Sequence, residues 1–174
     1  MSHFPTEAEQ SILGAILLAP DALLQASDII EPSDFSATAH RLIYESMLDL
    51  YQLGENIDII SLITRLEAKG VLKQIGGSDF IASLASEAVT SANIAFHSRI
   101  VRQKSLIRLT GAWAAAVAEQ SKNGIEDIPA WLGKIESGLI DIAQSAKSKT
   151  SPYTSDIIKS IEQFWNDSLE GKKV

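Results

Sequence analysis

Apolar residues recur along this chain at intervals of three and four, interrupted at short range by glycine and proline. Ile12, Leu13, Ile16 and Leu17 follow that spacing and Pro20 ends it, which predicts a first helix. Thr6 and Glu9 ahead of it form the pattern of a capping box, the hydroxyl accepting from an amide while the carboxylate reaches back. Asp21 to Ile30 reads as a short second helix closed by Glu31-Pro32. A third helix spans Thr38 to Leu53, with Ala39, Leu42, Ile43, Met47 and Leu50 on its apolar face and Gly54 as its left-handed stop. Asp58 caps a fourth helix, Ile59 to Lys69, ended by Gly70. Gly76-Gly77 is a turn, and Ser78 opens a fifth helix to about Ala88. Such dense punctuation predicts a compact helical head over residues 1–90.

From Ser91 the pattern lengthens. Ala92 to Asn123 carries one uninterrupted helical pattern, about 45 Å long at about 1.5 Å per residue. After Gly124 and a short connection, Ile128, Trp131 or Leu132, Ile135, Leu139 and Ile142 mark a second long helix to about Ala146. Two long helices joined by a short turn lie antiparallel, so residues 91–147 form a helical hairpin. Residues 148–154 are a polar linker containing Pro152. Beyond it, Ile157, Ile158, Ile161, Phe164, Trp165 and Leu169 share one face of a helix over 155–170. The predicted fold class is all-α: a globular helical head, a long antiparallel hairpin and a separate amphipathic linker helix.

Charge adds an asymmetry. The net charge of -7 hides a first half, residues 1–95, with 4 Lys/Arg against 13 Asp/Glu, and a second half with 11 against 9. The acidic half repels a phosphate backbone, because non-specific DNA affinity comes from counterions displaced by Lys and Arg. No cysteine is present, which excludes disulfides, thiolate zinc sites and a cysteine nucleophile. No apolar run approaches the roughly 20 residues that span a bilayer, and no secretory signal opens the chain. The reading is a cytoplasmic protein with no membrane partner.

Candidate chemistry is sparse. There is no phosphate-loop motif, and His3, His40 and His97 stand apart, with His40 reading as a structural histidine. Asp58, Asp127 and Asp156 lie at helix starts, where capping accounts for them. No catalytic, cofactor-binding or metal-binding residue is assigned. The basic cluster Arg99, Arg102, Lys104 and Arg108 reads first as a solvated face. Arg99, Arg102 and Arg108 are also a candidate nucleic-acid edge, without interleaved aromatics for base stacking. The stripe over 155–169 either folds back onto its own bundle or docks in a groove elsewhere. Docking is preferred, because Phe164 and Trp165 have the character of an interface hot spot.

Several short segments in this order resemble the amino-terminal part of DnaB-type replicative DNA helicases. They are Glu7 to Leu18, Pro32-x-Asp34-Phe35 leading to His40-Arg41-Leu42-Ile43-Tyr44, Gly54 to Asp58, Gly70-Val71-Leu72 with Gly76-Gly77, and Ser91-x-Asn93 to Ile100-Val101-Arg102. The resemblance implies a collar of six heads built by pairing hairpins, which recruits primase. It also implies a linker helix that docks on a neighbouring subunit's motor domain, with a helicase loader as a further partner and DNA contacted only indirectly. Trp131, Leu132, Ile135 and Leu139 are then the expected hairpin core or oligomer interface. Ile157, Ile161, Phe164, Trp165 and Leu169 are the expected docking face. In the family a motor domain that binds ATP and magnesium follows near Val174, so no enzyme activity is expected of these residues, and a truncated parent is the preferred origin. The alternatives are a stand-alone phage or plasmid regulator of a host helicase, and weak single-stranded DNA binding by the hairpin.

Overall fold

The computed structural model describes residues 4–87, 90–122 and 124–148. Among them are seven α-helices, α1 (Phe4–Leu18), α2 (Ala22–Ser27), α3 (Thr38–Gln52), α4 (Ile59–Ala68), α5 (Gly77–Glu87), α6 (Ile94–Lys122) and α7 (Ile128–Ser148), with a 3-10 turn at Pro32–Asp34 and no strand. The all-α class is as predicted. The linker helix expected over 155–170 lies outside the described residues.

In the first compact unit α1 is the central helix. Ile12, Leu13, Ala15 and Ile16 point in several directions around it and all are buried, as expected of a helix enclosed by its neighbours. It packs on α2, α3 and α5, while α4 closes the bundle against α3 and α5. Ile43, Met47 and Leu50 of α3, Leu62 and Leu66 of α4, and Ile81 and Leu84 of α5 complete one continuous core. Each such buried aliphatic side chain contributes about 1.5–3 kcal/mol of transfer free energy.

The predicted stops are built as the spacing implied. After α3 the chain turns at Gly54, φ +71°, where Gly54 N donates to Tyr51 O and Glu55 N to Leu50 O. After α4 the same pair of bonds recurs at Gly70, also φ +71°, with Val71 N donating to Leu66 O. Both are Schellman turns, which need a left-handed residue that glycine adopts without strain. Asp58 caps α4 by accepting from Ile60 N and Ser61 N, and Asp58 N donates to the Ser61 hydroxyl.

Two expectations change. The Thr6–Glu9 capping box is not formed, because α1 already begins at Phe4 and the Glu9 carboxylate is engaged far from the helix end. The head also does not stop at residue 90. The compact units divide between Ser105 and Leu106, because Ile94, Ser98 and Val101 turn one face of α6 into the core of the head.

The second unit consists of α6 from Leu106 onward together with α7. Asp127 caps α7, its carboxylate accepting from Ala130 N, and Pro129 sits in the first turn, where an amide proton is dispensable. Three pairings run in opposite order along the two helices. Trp131 Nε1 donates to Gln120 Oε1 at 3.1 Å, Gly138 lies beneath the Trp113 indole, and Leu106 shares a buried cluster with Ala146. The helices are therefore antiparallel.

Candidate functional site

Polar groups buried in the head come first, because they decide which charged residues are available at the surface. Glu9 projects from α1 with no exposed area. Its Oε1 accepts from Ser36 N at 2.6 Å and from Ser36 Oγ at 2.7 Å, and its Oε2 lies 2.7 Å from His40 Nδ1. Burial pushes this carboxyl up, but the hydrogen bonds from His40 and Ser36, with the electrostatic attraction of His40, outweigh it and hold it below the usual carboxylate range. The His40 ring stacks on Phe80 of α5, with centroids 5.8 Å apart. His40 is thus a structural residue tying α3 to α1 and α5.

A second buried group explains the Pro32-x-Asp34-Phe35 segment. Asp34 Oδ2 accepts from Glu31 N at 2.8 Å, closing the 3-10 turn, and Oδ1 accepts from Arg102 Nη1 at 2.7 Å. Asp34 is 1% exposed and Arg102 only 12%. Beside them Tyr44 is fully buried, and burial followed by the Asp34 charge pushes its hydroxyl well above the ordinary phenol range.

This geometry divides the expected nucleic-acid edge. Arg102 is inside the head and committed to Asp34, so it cannot track a phosphate backbone. Arg99 is exposed and forms no ion pair among the described residues; Lys104 and Arg108 are also exposed. On α6, one turn before Arg99, Phe96 is 60% exposed with its ring 5.8 Å from His97, an aromatic neighbour that the sequence reading left out.

The expected interface residues of the hairpin divide as well. Trp131, Ile135 and Leu139 are half-buried along the seam with Ile142 and Ala146, which are buried. Leu132 faces outward at 53% exposure. Of the residues that join it there, sequence reasoning had placed Ile128 on the apolar stripe of the helix and passed over the others. Ile128, Ile140, Ile107 and Leu109 are each about half exposed, and Ala112, Ala114, Ala115, Ala116 and Ala118 are exposed with them. Among the described residues of this unit only Leu106, Ile142 and Ala146 are buried apolar residues. Two helices alone cannot cover both apolar faces, and that leaves a surface of the kind that marks a partner site. At the turn Trp131, Ile125, Ala130 and Lys134 line a shallow groove of about 350 Å³.

The docking residues Ile157, Ile161, Phe164, Trp165 and Leu169 lie outside the described residues. Among the described residues no three His, Asp or Glu side chains gather as metal ligands. No described helix is long and apolar enough to cross a membrane.

The missed residues had faint signals. Glu9 falls on the stripe with Ile12, Leu13 and Ile16, where a carboxylate must find buried donors. Asp34 stands two residues after Pro32, a placement that suits a turn cap. Nothing in the local sequence linked Asp34 to Arg102, 68 positions away.

Residues 2–103 match the sequence profile of the DnaB-like helicase N terminal domain. The replicative DNA helicase DnaC of Bacillus subtilis is 31% identical over 164 residues, covering 92% of this chain and 36% of that protein. The replicative DNA helicase DnaB of Geobacillus stearothermophilus is 33% identical over 152 residues, covering 87% and 34%. The chain therefore spans about a third of the length of these relatives. The N-terminal domain of DnaB helicase from Mycobacterium tuberculosis superposes with a TM-score of 0.74 at 32% identity, over 77% of this chain and 94% of that one. The N-terminal domain of DnaB helicase from Helicobacter pylori, whose structure was described with its interactions with primase, shares the fold at a TM-score of 0.62 and 22% identity, over 70% and 99%. With the profile covering more than half its length and the helical head and hairpin in place, this chain belongs to the family of DnaB-like helicase N-terminal domains.

Proposed function

We propose that this chain is a non-catalytic assembly module of a replicative DNA helicase, which associates with copies of itself through its hairpin, forms the helicase collar and presents it to primase. The observation that carries the reading is the apolar surface of the hairpin that the described residues leave uncovered, Ile107, Leu109, Ile128, Leu132 and Ile140. A partner helix pair of the same kind covers such a face with matched chemistry, and side chains of this size dominate interface energetics when desolvated. Trp131, Ile135 and Leu139 hold the seam, and Leu132 makes the contact. The stripe Ile157, Ile161, Phe164, Trp165 and Leu169 docks on a neighbouring subunit's motor domain, where a loader also engages it. Nucleotide chemistry belongs to that motor domain, and this module needs no cofactor. DNA is contacted only indirectly, consistent with Arg102 being committed to Asp34.

Light scattering tests the reading. The chain is expected to be dimeric or larger at micromolar concentration, and Leu132→Glu with Ile140→Glu is expected to make it monomeric with unchanged helicity. A monomeric parent chain, or a double variant that scatters like the parent, overturns the hairpin contact. Capture of a primase helicase-binding domain by the parent chain, assayed separately, tests recruitment.

A further inference from the structure

The boundary between the two compact units falls inside α6, between Ser105 and Leu106, without a break in the helix. On the head side of that boundary the helix is firmly anchored. Ile94, Ser98 and Val101 are buried, and Arg102 Nη1 donates to the buried Asp34 carboxylate at 2.7 Å. Beyond Ser105 such anchorage is sparse. Over residues 106–122 and α7 the buried apolar side chains among the described residues are Leu106, Ile142 and Ala146, and Trp113, Val117 and Ile135 are only half-buried. The polar ties there, Trp131 with Gln120 and Lys122 with Glu119, are exposed, where competition from water leaves such bonds weak.

Backbone propensity weakens the same stretch. Gly111 and Gly133 stand inside α6 and α7 at points where a Cβ would meet nothing within 4 Å, so no close approach requires them. Each loosens its helix through the conformational freedom it regains on opening. Most helical stability in a protein comes from packing of a buried face, and this pair of helices has little of it.

We infer that the helical pair from Leu106 onward opens as a unit of its own while the head, with residues 94–105 of α6, stays folded, and that self-association shuts this opening. In a single copy the hairpin is helical, and its amides exchange through a small open population that leaves the head intact. Covering Ile107, Leu109, Leu132 and Ile140 with a second hairpin adds burial that the open form lacks. A partner that binds only the closed form lowers the open population by mass action. The closing step rests on the self-association reading above; the opening step does not. The device marks assembly: an unassembled copy offers its hairpin backbone to proteases in proportion to its open fraction, and an assembled copy withholds it.

Amide hydrogen exchange on the full chain tests both steps. In dilute parent chain and in Leu132→Glu/Ile140→Glu, amides of residues 110–122 and 132–148 are expected to exchange faster than those in the middle of α3. Gly111→Ala with Gly133→Ala is expected to slow the hairpin amides by about tenfold and leave α3 unchanged. Hairpin and α3 amides that exchange at one common rate, or a glycine pair that slows both equally, overturn the opening. Raising the concentration of the parent is expected to slow its hairpin amides alone, and tryptic cleavage after Arg108 and Lys134 is expected to fall with them. A parent that self-associates by light scattering while its hairpin rates stay fixed overturns the closing step. A parent that stays monomeric with a fast-exchanging hairpin sinks the closing step together with the self-association reading, and upholds the opening.

Discussion

His40 Nδ1 lies 2.7 Å from Glu9 Oε2, and the two side chains are 3% and 1% exposed. Replacing a buried carboxylate leaves each donor that it held short of its acceptor, at a cost of about 1–3 kcal/mol for each one left unsatisfied. Here the carboxylate also holds the Ser36 amide and hydroxyl, so Glu9→Gln is expected to lower unfolding stability by about 3 kcal/mol at neutral pH. The pH dependence has a definite sign. The folded carboxyl ionises more readily than an unfolded one, whose pKa is about 4.3. Its contribution is therefore fully present above that value and disappears as pH falls through the lower, folded value. Urea unfolding at neutral and acidic pH is expected to show the gap between parent and Glu9→Gln closing with acidification. A gap that is constant with pH contradicts the assignment.

Arg102 and Arg99 have neighbouring positions and opposite fates. Arg102→Ala leaves the Asp34 carboxylate buried without its cation and is expected to cost about 3 kcal/mol, whereas Arg99→Ala is expected to change stability by less than about 0.5 kcal/mol. Equal, small effects in urea unfolding would mean that Arg102 is not the buried anchor of α6.

Tyr44 invites a substitution without loss. Its ring packs on Phe35 at 4.9 Å, but its hydroxyl, fully buried, has no hydrogen-bond partner among the described residues. Deleting a buried unsatisfied group relieves a desolvation cost of about 1–3 kcal/mol in proportion to how little it was compensated. Tyr44→Phe is expected to unfold at the same or a higher temperature than the parent, and a marked fall would reveal a bond to that hydroxyl.

The two glycines of α7 should respond in opposite ways to alanine. At Gly133 a Cβ meets nothing within 4 Å, so Gly133→Ala is expected to stabilise by about 0.5–1 kcal/mol through helix propensity. At Gly138 a Cβ would lie 2.5 Å from Trp113 Nε1, and Gly138→Ala is expected to cost about 1–3 kcal/mol as the indole is displaced. Thermal unfolding of the two variants side by side checks both signs.

Helices whose ends carry local chemistry were legible from residue order alone. Asp58 before Ile59, and Gly54 and Gly70 after α3 and α4, act through bonds spanning two to five residues, so their meaning survives without tertiary context. The spacing of Trp131, Ile135, Leu139 and Ile142 likewise announced a helix with one buried side. Thr6 and Glu9 show where such reading fails. The same spacing suits a cap or a buried carboxylate, and only the arrival of Ser36 and His40 chooses between them.

What residue order determined by itself is the helical inventory of the described residues and the acidic head, since periodicity, charge and capping are local or additive properties. Which charges are spent and which remain was decided only in three dimensions. Arg99 and Arg102 are indistinguishable on paper, and the fold buries one against Asp34 and leaves the other in solvent, because α6 turns a single face into the core. The outward placement of Leu132 and Ile140 was settled in the same way, by which side of α7 met α6.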